Sequence, residues 1–129
     1  MCKKSYTGIN IQYPISQMII NKEKIIETRT YPLPSKYLNK EMALIETPGK
    51  SGTFKSRVIG IIKFTNSFQY KSKKEFYSDI KKHQVDKNSL WAWTQGDKWG
   101  WEVEIVKILS HPIEVTKKKG IRYTLGIQV

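Results

Sequence analysis

Apolar and polar residues alternate at Ile9-Asn10-Ile11-Gln12, the period-two pattern of a half-buried strand. Pro14 then opens a stretch where Ile15, Met18 and Ile19 recur at helical spacing, which predicts a short helix over 14–21. A strand is expected from about 24 to 30, stopped by Pro32 and Pro34, which force extended backbone. Residues 42–47 read as the next strand, ended by Pro48-Gly49. Residues 54–64 read as a long strand rich in β-branched side chains, with Gly60 marking a bulge or bend. Ser72-Lys73-Lys74-Glu75 is a capping box, so a second helix is expected over 73–82, with Phe76 and Ile80 as its buried stripe. After a tryptophan-rich loop, 101–109 and 121–129 read as closing strands, joined by a basic turn at 117–120. Residues 1–8 read as a flexible start and 9–129 as a single domain. Short strands with two helices predict an α+β fold, its sheet curled into a small barrel.

Size and composition narrow the function. With 129 residues, 39% hydrophobic and 12% aromatic, the chain can bury a core and does not read as a disordered tail. No apolar run approaches the ~20 residues of a membrane span, and the first residues lack a signal-peptide layout. A cytoplasmic protein without membrane contact is therefore expected. The lone cysteine, Cys2, has no internal disulfide partner, and with only His83 and His111 a zinc cluster is not predicted. No metal and no cofactor is expected. The oligomeric state is not set by these features.

The net charge of +12 points to a polyanionic partner, most often nucleic acid. Of the 23 basic residues only Arg29, Arg57 and Arg122 are arginine. Lysine acts as a point charge on phosphate, whereas arginine's planar fork reads base edges. A drift of composition toward lysine would produce the same charge with no ligand. The lysine pairs at 73–74 and 81–82 and the run at 117–119 read as solvated surface, or as a phosphate track if they share a face with a cleft.

The candidate chemistry lies in Lys24-Ile25-Ile26-Glu27-Thr28-Arg29. Strand residues two apart share a face, so Glu27 and Arg29 should point the same way, with Thr28 opposite. Lys24, at the entrance, is placed to swing toward the same cleft. Lysine and arginine donate while glutamate accepts, which suits a polar, partly anionic ligand. An ion pair on an exposed strand would show the same spacing. Trp91, Trp93, Trp99 and Trp101, near Tyr70 and Tyr77, form a second group that either stacks on bases or fills the core. Trp101 reads as core, and Trp91 or Trp93 as a wall of the cleft. His83 is placed to cap the last carbonyls of the second helix, and His111 reads as a loop residue.

These residues resemble the ASCH domains of the PUA-like superfamily, marked by Gly-x-Lys-x-x-Glu-x-Arg after a short helix. Lys24, Glu27 and Arg29 match; the glycine is replaced by Lys22. Tyr31-Pro32-Leu33-Pro34, Leu38-Asn39-Lys40-Glu41, Trp99-Gly100-Trp101 and His111-Pro112-Ile113 also look like family segments in the right order. The resemblance implies a barrel of five to six mixed strands flanked by two or more short helices, with a ligand cleft between helix and barrel. It implies RNA or a nucleotide as partner, held by Lys24, Glu27, Arg29, Tyr31, Trp91 and Trp93. Some relatives are amidohydrolases of acetylated cytidine and others ribonucleases, which makes Lys24 and Glu27 candidates for catalysis. The amidohydrolase branch has threonine where this chain has Glu27. That departure favours a binding module over an enzyme.

Overall fold

The longest β-branched run occupies the middle of a sheet, where side chains on both faces are buried. The computed structural model describes residues 4–116 and 122–129, so Cys2 and the expected basic turn at 117–120 lie outside the described residues. In it, β1 (Ser5–Gln12) is followed by α1 (Ile15–Ile20), β2 (Ile26–Arg29), a 3-10 turn (Ser35–Tyr37) and β3 (Glu41–Thr47). Next come β4 (Arg57–Tyr70), α2 (Lys73–Ser78), α3 (Ile80–His83), β5 (Lys98–Glu114) and β6 (Tyr123–Gln128). The strands form one mixed sheet in the order β2-β5-β4-β3-β1-β6, with β1 parallel to β3 and the other neighbours antiparallel.

Alternation along β3 and β4 explains why both are buried almost throughout. Met42, Leu44, Ile62 and Phe64 join Ile9, Ile11, Ile19 and Trp101 in one apolar cluster. Ala43, Ile45, Val58 and Ile61 face the other way and pack with Ile127. A third cluster of Tyr70, Phe76 and Val85 seats the helices against the end of β4.

The expected barrel does not form. β2 and β6 end the sheet, and among the described residues no backbone ladder joins them. Side chains bridge the two ends instead: Arg122, just before β6, lies over the Tyr31 ring beyond β2, its guanidinium carbon 4.4 Å from the ring centroid. The sheet bends through register shifts between Leu44 and Ile45, Val58 and Gly60, and Phe64 and Asn66. The bulge read at Gly60 is present. A Cβ there would sit 2.7 Å from the Lys107 carbonyl oxygen, so the close approach of β4 and β5 needs glycine.

Other boundaries moved. Ser5 to Gly8, read as part of a flexible start, are strand. His111, read as loop, lies within β5. The capping box is in place, with the Glu75 amide donating to Ser72 Oγ at 3.1 Å, but the expected single helix breaks at Asp79. There Tyr70 Oη donates to Asp79 Oδ2 at 2.8 Å, and the turn leaves Ile80 exposed while Phe76 stays buried. Among the described residues no helix is long and apolar enough to cross a membrane.

Candidate functional site

The turn leaving α1 aims Lys24 inward. Lys22, where the ASCH motif has glycine, adopts φ 63°, the left-handed conformation that glycine takes without cost. The glycine-type turn is thus kept despite the substitution. The Lys24 amide donates to the Met18 carbonyl at 3.0 Å, and the Ile25 amide to the Lys82 carbonyl at 2.8 Å. Lys24 is 3% exposed and its ammonium lies 3.7 Å from Glu27 Oε1. Arg29 Nη2 donates to Glu27 Oε2 at 3.3 Å, and Arg29 Nη1 approaches Tyr31 Oη at 3.5 Å. The three ionic tips therefore meet, and the shared carboxylate orders the two cations.

Burial pushes the Lys24 ammonium below its usual pKa, and Glu27 offsets this only in part. Burial also opposes the charge on Arg29, but the Glu27 carboxylate and Tyr31 hydroxyl outweigh it and hold that pKa above its ordinary value. Lys24 is thus the cation of the pair that gives up its proton more readily.

A cleft of about 470 Å³ opens above this cluster, between the strands at the two ends of the sheet. Lys24, Glu27 and Arg29 form one wall; Asn10 and Gln12 of β1, Thr47 at the end of β3, and Arg122 form the other. Thr28, expected to face away, also contributes to the wall, and its amide donates to Glu27 Oε1 at 3.0 Å. Trp91 stands at the mouth, 49% exposed. Trp93 does not line this cleft. Its ring packs edge-on against Phe76 at 5.8 Å, and its indole N–H donates to the Gly96 carbonyl at 2.9 Å. Tyr31 supports Arg29 from behind and packs edge-on against the buried Trp101.

Two residues outside the sequence reading shape the site. The buried Lys98 donates to the Trp91 carbonyl at 3.2 Å and so holds that tryptophan's loop; burial and nearby Lys24 keep its pKa below the usual range. Arg122 reaches the cleft from a position 93 residues beyond Arg29 in the chain, so no local spacing reveals it. Its one sequence signal is being arginine in a lysine-rich chain. Arg57, by contrast, is structural: it pairs at 2.9 Å with the buried Glu46, which also accepts from Ser16 and Gln17.

His83 is buried and neutral in its bonding pattern. Its Nδ1 accepts from the Val85 amide at 3.0 Å, so Nε2 carries the hydrogen donated to the Phe76 carbonyl at 2.6 Å. Among the described residues no group of His, Cys, Asp and Glu has the layout of a metal site.

The fold is similar to the crystal structure of the ASCH protein from Zymomonas mobilis, with a TM-score of 0.69 and 14% identity over 92% of this chain and 85% of that one. A point variant of the same protein aligns with a TM-score of 0.69 and 14% identity, over 97% of this chain and 90% of that one. No protein-family model and no curated protein matches the chain by sequence. The fold is therefore that of the ASCH proteins, reached at an identity where the fold alone is established.

Proposed function

We propose that this chain, built on the ASCH fold, binds RNA or a nucleotide, seating a base or phosphate in the cleft above Lys24, Glu27 and Arg29. The observation that carries this reading is the convergence of two cations, Lys24 and Arg29, 3.7 and 3.3 Å from the Glu27 carboxylate, in one wall of an open cavity. Arginine and lysine supply donors for phosphate or base oxygens, and Glu27 accepts from a base amine. Trp91 offers a half-exposed ring for stacking, and the surface lysines supply salt-sensitive attraction.

Calorimetric titration with short single-stranded RNA at several salt concentrations tests this. Binding that weakens as salt rises, and falls about tenfold or more in Arg29→Ala but little in Lys73→Ala or Lys81→Ala, supports it. Equal small losses at every basic position would place the partner elsewhere.

A second reading, a hydrolase acting on a modified nucleoside such as acetylated cytidine or on RNA, is favoured by the depressed Lys24 pKa. Burial lowers the Lys24 pKa although Glu27 opposes the shift, which places a proton-exchanging pair beside the cleft. Turnover of either substrate, lost in Lys24→Met, would select it. Saturable binding without product selects the binding module.

A further inference from the structure

The cations that line the cleft are not equally engaged. Lys24 is committed to the His83 carbonyl and Glu27, and Arg29 to Glu27 and Tyr31. Arg122 is different. Among the described residues no ion pair involves it. Its guanidinium lies over the face of Tyr31, and its backbone is pinned by the Asn10 amide donating to the Arg122 carbonyl at 3.0 Å. Stacking on a ring occupies the face of a guanidinium and leaves its in-plane N–H groups available. Two of them match two oxygens of a phosphate.

The charge balance of the walls points the same way. Lys24, Arg29 and Arg122 line the cleft against the single carboxylate of Glu27. A neutral ligand would leave that excess uncompensated in a partly desolvated cavity, whereas an anion balances it. Because Tyr31 touches both arginines, through its hydroxyl to Arg29 and its ring to Arg122, the donors of Arg122 stand beside the base-reading cluster. That is where a phosphate attached to a bound nucleoside belongs.

We propose that the cleft selects a nucleoside carrying a phosphate over the bare nucleoside, and that Arg122 imposes this selection by gripping the phosphate. This rests on the cleft being the binding site for a nucleotide. The phosphate belongs either to a free nucleotide or to an internal position of single-stranded RNA. The chemistry recognised is the same in both.

The test is calorimetric titration, at one ionic strength, of the four common nucleosides, their 5′- and 3′-monophosphates and dinucleoside monophosphates. Each is titrated into wild type, Arg122→Gln and Arg122→Lys, with thermal midpoints confirming that the variants fold. For the best-bound base, the phosphate-bearing form is expected to bind about tenfold or more tightly than the nucleoside. Arg122→Gln should bring that ratio to within about twofold, and Arg122→Lys should restore part of it. Tighter binding of the dinucleotide assigns the phosphate to RNA; tighter binding of the monophosphate assigns it to a free nucleotide. Equal wild-type affinity for nucleoside and nucleotide, or a variant that loses both alike, overturns the role of Arg122 and leaves the nucleotide cleft standing. Failure of every ligand to bind overturns both.

Discussion

Lys24 and His83, 59 residues apart, are joined directly: the Lys24 ammonium donates to the His83 main-chain carbonyl at 2.5 Å. The contact ties the entrance of β2 to the end of α3, so the cationic floor of the cleft and the helical layer are one structural unit. The same ammonium faces Glu27, which makes the site part of the core rather than an attachment to it.

Glu27 should therefore matter for stability as well as binding. Glu27→Gln leaves the buried Lys24 and the half-buried Arg29 without their counter-charge and should cost about 3 kcal/mol in denaturant unfolding. Lys24→Met removes one of those stranded charges. The double variant is expected to lie about 1 kcal/mol or more closer to wild type than the two single losses added together. Strict additivity would mean that the pair is not coupled.

Burial holds the His83 pKa below its ordinary 6.5. As pH drops through 6.5 the unfolded chain takes up a proton that the folded chain refuses. This contribution is complete above 6.5 and is lost as pH falls below it, at up to about 1.4 kcal/mol per pH unit. Between that pH and about 5, where carboxylates begin to titrate, the slope of stability against pH should flatten in His83→Gln, whatever its absolute stability. An unchanged slope would assign the acid sensitivity to another group.

Lys22 carries a backbone conformation that strains a residue with a Cβ. Lys22→Gly should stabilise the fold by about 0.5–1 kcal/mol, a higher thermal midpoint being the readout. Destabilisation would mean that the lysine side chain contributes more than its backbone costs.

Much of this site was legible because it is local. Lys24, Glu27 and Arg29 lie on one short segment, where strand periodicity puts Glu27 and Arg29 on one face and the turn at Lys22 brings in Lys24. The opposite wall was not legible, because Asn10, Thr47 and Arg122 come from β1, the end of β3 and the approach to β6. Only the bending of the whole sheet brings them opposite β2. The open sheet was missed for a related reason: β-branched runs and a bulge at Gly60 predict strands and curvature, but whether the edge strands β2 and β6 pair with each other depends on contacts across the whole chain. The burial of Lys98 gave no local signal, since its value lies in holding a loop carbonyl.

Trp91 and Trp93, two residues apart, should separate in their effects. Trp91→Ala is expected to leave stability within about 0.5 kcal/mol and to weaken binding of short single-stranded RNA by about 1–3 kcal/mol. Trp93→Ala removes packing on Phe76 and should cost about 2 kcal/mol of stability. Binding by the folded Trp93 variant should change little. The reverse pattern would move the ligand to the groove lined by Lys73, Tyr77, Lys87 and Trp93.

Where the ligand sits is best read by NMR, from side-chain and amide resonances during titration with the tightest-binding nucleotide or short RNA. Saturable shifts should concentrate at Arg29 Nε, the Trp91 indole, Thr28 and Arg122, leaving the Lys73 and Trp93 region unperturbed. Shifts confined to that region, with the Arg29 and Trp91 signals unmoved at saturation, would contradict the assignment of the cleft.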